Sequence, residues 1–317
     1  MNTIAQTEHP HAPKVGRVAR WLGPFRITGI FWYRIHEFGI RILPLWAKPI
    51  FVYGFSIVFF LVLRNVRRAI AANLVPVLGP CDWWEKQRRI WRTLSTFAWC
   101  LTERYERLST KERFEIELDD ERIWNSVNDD KSGYILVTGH VGNWEIGSSH
   151  PSSLEQRQIH VVREEELDAD AQAFVEELLR QRMGEYYTTH FAGEGLMLGV
   201  ELLDALERGE IVALQGDRPR KGGKTIETVM FGRPFRLPVG PLVLARTADV
   251  PLLPAFVLRE GRFRYRTVFG EPIRVPRTAS RERDIGQAAG ELAAAIQSAV
   301  TQEPHQWFCF GQVWPDA

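Results

Sequence analysis

Three short runs constrain the fold of this chain more than any other feature. GYILVTGH (133–140), QIHVVRE (158–164) and IVALQGD (211–217) are short, mostly apolar stretches rich in Val and Ile, and each ends abruptly in polar or charged residues. Strands that are buried on both faces read this way, without the apolar–polar alternation of a half-exposed strand. Helical patterns separate and follow them. DADAQAFVEELLRQRMG (168–184) is amphipathic and closed by a glycine, and GLMLGVELLDALERGE (195–210), VGPLVLARTAD (239–249) and ERDIGQAAGELAAAIQSAVTQ (282–302) complete the helical set. RFEIEL (113–118), VPLLPAFVLRE (250–260) and RFRYRTVFGEPI (262–273) are further strands, and TIETVMFGRPFRLP (225–238) reads as strand and turn. Strands alternating with helices predict an α/β fold, with a mixed, largely parallel sheet flanked by helices on both faces.

In such sheets chemistry collects at the carboxyl ends of the strands. Three of those ends carry GHVGNWE, RE and QGDRPR, so His140, Glu145, Arg163, Asp217 and Arg218 are the candidate site residues. His140 and Glu145 are five positions apart, about 140° on a regular helix, so the pair works together only if the chain turns from strand into helix between them. Glycines around His140 favour that turn. The acid would then fix the tautomer of a histidine base, Gly142 would let a substrate approach the backbone, and exposed N–H groups at the helix start would stabilise an oxyanion. Spacing alone leaves open the plainer alternative of a hydrogen-bonded histidine beside an unrelated glutamate. No GxSxG elbow accompanies the histidine, and Ser148 and Ser149 lack that setting. A histidine without an enzyme nucleophile points to activation of a hydroxyl carried by the substrate. His140, Glu145, His150 and His160 match no standard metal-ligand spacing, so no metal is expected. GGKT (222–225) is not a phosphate loop, because Arg218 stands where the pattern needs glycine and a strand follows rather than a helix.

The first third of the chain has a different character. PIFVYGFSIVFFLVL (49–63) runs for 15 residues without a charge, short of the roughly 20 that span a bilayer. Arg34, Arg41 and Lys48 recur every seven residues upstream, and RNVRR follows. This suits helices lying in or dipping into a membrane interface, with basic groups at phosphate level. Residues 1–110 hold 16 Lys and Arg against 6 Asp and Glu, and the remainder 24 against 33, within an overall net charge of +1. A balanced chain has no nucleic-acid signature, but a basic first third suits an anionic surface or partner. Three scattered cysteines fit reduced thiols in a cytosolic setting. The expected organisation is a disordered lead-in (1–17), a membrane-associated helical region (18–110) and an α/β catalytic domain (111–317).

Taken in order along the chain, GHVGNWE, RRAIAANL (67–74), LERGEIVALQGDRP, FGRPFRLPVGPLVLARTADVPLLPAF and EPHQWFCFGQVW resemble the lysophospholipid acyltransferase superfamily, and within it the bacterial lipid A (lauroyl/myristoyl) acyltransferase branch. The resemblance covers nearly everything after the lead-in. It implies transfer of a fatty acyl chain from an acyl carrier protein (or acyl-CoA) thioester to a hydroxyl of a membrane lipid such as a lipid A precursor, without a cofactor. His140 would be the base and Glu145 its orienting acid. Gly142 and Asn143 would line the donor and acceptor site, and Arg163, with Asp217 and Arg218, would hold acceptor phosphate or polar groups. The acidic carrier protein would dock on the basic first third, and the enzyme would sit on the inner (cytoplasmic) membrane with its catalytic domain on the cytoplasmic face. One departure bears on the acceptor: FGQVWPDA replaces the family's basic HRRWK-type ending, which leaves an aminolipid or another hydroxyacyl lipid open. A thioesterase that uses His140 to activate water is the competing reading.

Overall fold

The sheet that positions the site has seven strands, which lie side by side in the order 115–118, 264–269, 252–261, 134–138, 211–215, 159–163 and 187–191. In this computed structural model, the described residues are 34–314 except 36–37, 40–41, 45, 110–113, 130, 148–156, 165–169, 171, 174–175, 178–185, 193–195 and 221. The strands are β1 (Glu115–Leu118), β2 (Tyr134–Thr138), β3 (Ile159–Arg163), β4 (Tyr187–Phe191), β5 (Ile211–Gln215), β8 (Leu252–Gly261) and β9 (Arg264–Phe269). Every neighbouring pair is parallel except β8 with β9. β6 (Thr225–Met230) and β7 (Arg233–Pro238) form a separate antiparallel hairpin. β4, which pairs parallel with β3 at the sheet edge, has no counterpart in the sequence reading. Its YTTHF is five residues long and partly exposed throughout, too short and too polar to stand out.

The central strands are buried on both sides, as their unbroken apolar runs predict. One face, including Ile135, Val137, Val212, Leu252 and Phe256, packs under α6 (Leu196–Glu207), α7 (Gly240–Ala248) and α8 (Arg281–Gln302). α8 presents Ile285, Ala288, Ala289, Leu292, Ala293, Ile296, Ala299 and Val300, a stripe at three- and four-residue spacing that brings the helix close to the strands. Small residues dominate that stripe, which lets the backbones approach. The opposite face carries Tyr134, Ile159, Ile211, Ala213, Leu253, Ala255 and Phe269, with α4 (Glu121–Asn128) over its lower part. α4 begins where the Asp120 carboxylate accepts from the N–H groups of Arg122 and Ile123. α5 (Trp144–Gly147) is one turn after β2. The lead-in 1–17, Ser148, Ser149, His150 and most of the expected 168–184 helix lie outside the described residues.

Ahead of the sheet come α1 (Lys48–Val62), α2 (Arg64–Leu78) and α3 (Trp83–Ser109). α1 and α2 meet at 91° across Leu63, and no single described helix is long and apolar enough to cross a membrane. α1 buries Lys48, Val52 and Ser56 and leaves Ile50, Tyr53, Ile57, Val58, Leu61 and Val62 exposed. The expectation that Lys48 joins a basic outer face is corrected here. Its Nζ lies 2.6 Å from Glu106 Oε1 of α3, and both side chains are buried. A buried carboxylate demands a cation, and Lys48 supplies it from the facing helix.

Candidate active site

β2 ends at Thr138, and the next residues turn sharply. Gly139 lets the chain pass the Asp217 side chain, where an added Cβ would stand 3.2 Å from Asp217 Cβ and Cγ. The carboxylate then engages His140 twice. The His140 backbone N–H donates to Asp217 Oδ2 (2.9 Å), and His140 Nδ1 lies 2.7 Å from Asp217 Oδ1. Trp307 Nε1 reaches Asp217 Oδ2 at 3.4 Å, and Asp217 is fully buried. Burial by itself would raise the Asp217 pKa. The adjoining His140 and Arg218, with the hydrogen bonds from His140, outweigh it and hold the carboxyl at about 2. Asp217 is therefore ionised and only accepts hydrogen bonds. It follows that His140 Nδ1 carries the proton. Arg218 Nε, 3.1 Å from the same nitrogen, is then an adjoining charge and not a donor to it. This tautomer leaves Nε2 as the ring's lone-pair nitrogen, and Nε2 has no hydrogen-bond partner among the described residues.

His140 lines an apolar cavity of about 290 Å³ that runs over the α4-covered face of the sheet. Leu136, Val161 and Ala213 form its floor, and Trp124 and Phe269 lie along it. Arg104, Glu145 and Arg163 form its polar edge. A base lining an apolar cavity, with no enzyme nucleophile paired to it among the described residues, suits a substrate with a long hydrocarbon tail. Cys309 is the thiol nearest the dyad, with Sγ 3.8 Å from Asp217 Oδ2. It is 1 % exposed, and burial together with the Asp217 charge pushes its pKa well up, so it stays a thiol.

A family model described as bacterial lipid A biosynthesis acyltransferase matches residues 22–315. The chain belongs to this family. It is an acyltransferase acting on lipid substrates, with an acyl donor and a lipid acceptor. A comparison with curated proteins finds no match.

Within this acyltransferase the structure reassigns several residues. The carboxylate on His140 Nδ1 is Asp217, which the sequence placed among substrate-binding groups. Glu145 instead pairs with Arg163 NH2 at 2.7 Å and with Arg104 of α3. The reason is topological: β2 and β5 are adjacent and in register, so the residues just past their ends meet, whereas α5 carries Glu145 toward β3 and α3. Arg163 does lie at the cavity edge, as its strand-end position implied, with its charge shared with Glu145.

Gly142 and Asn143 face other parts of the protein. Neither lines the apolar cavity. Gly142 sits at φ +67° with an added Cβ only 2.0 Å from Val257 O, so its glycine serves contact with β8 rather than with substrate. Its N–H donates to Gln306 O, and the Asn143 N–H donates to Val257 O. Those two amides are therefore committed and do not form an oxyanion hole. The Asn143 side chain is buried and donates to Cys100 O of α3 and to Tyr265 Oη of β9.

The other motifs hold this turn in place. Phe308 N–H donates to His140 O, and the Gln306 side chain pairs with both backbone groups of Arg259. Asn73 of RRAIAANL donates to the carbonyls of Cys309 and Gly311 and accepts from Val313 N–H. α2 thus clamps the C-terminal segment that supplies Trp307 to Asp217. Trp307 was missed as a site residue. The only sequence signal for it was its place in the EPHQW ending. Among the described residues no cluster of three or more His, Cys, Asp and Glu is arranged to hold a metal. His160, on the face away from the cavity, contacts His190 and Glu210.

Proposed function

We propose that this acyltransferase moves a fatty acyl chain from an acyl carrier protein (or acyl-CoA) thioester directly to a hydroxyl of a lipid A-type precursor. The observation that carries the proposal is the Asp217–His140 pair at the edge of the apolar cavity: Nδ1 is tied to an ionised carboxylate and Nε2 is unpartnered. His140 Nε2 takes the proton of the acceptor hydroxyl as its oxygen attacks the thioester carbonyl. Asp217 stabilises the imidazolium that forms. The tetrahedral intermediate collapses, the C–S bond breaks, and the departing thiolate takes the proton back from Nε2. No acyl-enzyme forms, so donor and acceptor must be bound together. Glu145 pairs with Arg104 and Arg163 at the cavity edge, and their guanidiniums would stabilise the charge that develops on the carbonyl oxygen.

The exposed face of α1, followed by Arg64 and Arg68, fits a membrane interface with the apolar side chains inserted and the arginines at phosphate level. An inner-membrane site with the catalytic domain on the cytoplasmic face gives access to both a soluble carrier protein and a lipid acceptor. The basic first third favours an acidic carrier.

The test supplies radiolabelled acyl carrier protein thioester with and without a phosphorylated glucosamine lipid. Acceptor-dependent formation of a lipid with one more acyl chain, lost in a folded His140→Ala variant, is the expected result. Release of most of the acyl group without acceptor would establish a thioesterase instead. Near-normal transfer by His140→Ala would overturn the mechanism.

A further inference from the structure

On the far side of the dyad lies a second, larger cleft of about 780 Å³, bounded by the β6–β7 hairpin and the C-terminal segment Gly311–Trp314. Asp217 and Arg218 are in its wall, and so are Arg233 and Arg236. The charges there are unequally committed. Asp217 is taken up by His140, and Glu227 approaches Arg236 only at 3.8 Å, with both side chains largely exposed. Arg233 is half-buried and has no hydrogen-bond or ion-pair partner among the described residues. A second, independent observation concerns Trp314, which is 5 % exposed and lines the same cleft. Its indole Nε1–H is buried with no acceptor among the described residues. A buried donor without a partner costs about 1–3 kcal/mol, so an acceptor group supplied from outside would be rewarded there.

We propose that this cleft is the binding site for a phosphate group of the acceptor, held by Arg218, Arg233 and Arg236 with Trp314 Nε1–H as a neutral donor. The inference rests on the direct-transfer reading above and extends it. Transfer without an acyl-enzyme requires two substrates to meet at His140 Nε2. The apolar cavity on one side suits the acyl chain and offers little to a polar head. The cleft on the other side has the complementary chemistry, and the Asp217–His140–Arg218 cluster is the partition between them. Several separate guanidiniums and an N–H donor exceed what one carboxylate can satisfy, whereas a phosphate monoester offers three oxygens in the fork geometry that arginine matches. Arg233 and Arg236 are thereby specificity residues contributed by the hairpin, and Arg218 links that site to the dyad.

Two measurements on the full-length protein in detergent keep the binding site separate from the reaction. The first is 31P line broadening of glucosamine 1-phosphate by the wild type and by Arg233→Gln/Arg236→Gln. Saturable broadening that the double variant loses is expected. No saturable broadening, or equal broadening by both proteins, overturns the site whatever the protein catalyses. The second compares transfer to a phosphorylated glucosamine lipid and to its dephosphorylated form. The ratio of kcat/KM for the two acceptors should fall about tenfold or more in Arg233→Gln, with partial recovery in Arg233→Lys. A rise confined to the donor KM would reassign the cleft to the phosphodiester of the donor's prosthetic arm and overturn the acceptor assignment. A wild type that transfers to neither acceptor refutes the glucosamine-lipid acceptor of the reading above and leaves the phosphate site to be decided by the first measurement.

Discussion

The Asp217 carboxylate sets the chemistry of His140 because it is buried and still ionised. Replacing it with Asn keeps the shape but no longer fixes the proton on Nδ1. By analogy with the amide replacement of a triad aspartate, kcat should fall by roughly 10³–10⁴ with little change in KM, measurable with the carrier-protein thioester assay. A stability effect accompanies it. The Asp217 pKa is depressed to about 2 from the ordinary aspartate value of 3.8, so its stabilising contribution, ~2 kcal/mol, is complete above about pH 4 and lost as pH falls through 2. Urea unfolding followed from pH 6 to pH 2 should show an acid loss that is shallower in Asp217→Asn; identical pH dependence would contradict the pairing. Gly142 presents a steric case. Gly142→Ala forces a Cβ against Val257 O at a positive φ, and should destabilise the fold by about 2 kcal/mol or more through strain and a displaced β8 contact. Denaturant midpoints decide it.

At the scale of elements, the first helices belong to the catalytic body through buried charge as well as apolar contact. Lys48 of α1 and Glu106 of α3 form one such tie, and Glu103 of α3 pairs with Arg259 of β8 at 2.8 Å. Burial raises the Glu106 pKa even against the pull of Lys48 and Arg262. Lys48→Ala would leave that buried carboxylate with Arg262, 3.6 Å away, as a remaining cation, and should cost about 1–3 kcal/mol, seen as lower stability and faster amide exchange in α1. Unchanged exchange would mean the pair contributes nothing to docking. The outer face of α1 has the opposite role. Ile57→Asp with Leu61→Asp should leave the melting temperature near that of the wild type while shifting the protein from the membrane to the soluble fraction, read by flotation with anionic vesicles. The sequence signalled an apolar helix with basic flanks here, but could not reveal that Lys48 is spent inside.

For the whole molecule, the two sides of one sheet have been given different work. Helices α6, α7 and α8 seal one face with close-packed core, and the other face is left open enough over β2, β5 and β3 to hold the apolar cavity. Small residues on that face, Ala213 and Ala255, make the room. Ala213→Phe would fill the middle of the cavity, and the enzyme should then favour acyl donors several carbons shorter, with long-chain kcat/KM reduced about tenfold or more. Competition between donors of different chain length in one reaction measures it; an unaltered preference would place the acyl chain elsewhere.

Sequence alone determined six of the seven strands of the sheet, its largely parallel character and the strand ends at which His140, Arg163, Asp217 and Arg218 lie, because periodicity, β-branching and turn glycines act locally along the chain. It also determined the family, through motifs kept in order. What it did not determine is which carboxylate meets which nitrogen. Glu145 is five positions from His140 and pairs with arginines; Asp217 is 77 positions away and holds the imidazole. That choice follows from β2 and β5 being neighbours in register, a non-local pairing invisible to spacing. The same holds for Trp307, brought to the dyad by the C-terminal segment that Asn73 of α2 clamps, and for the arginine cleft behind it. Tertiary structure decided these because burial and adjacency across the sheet, rather than distance along the chain, set the charge and geometry of the site.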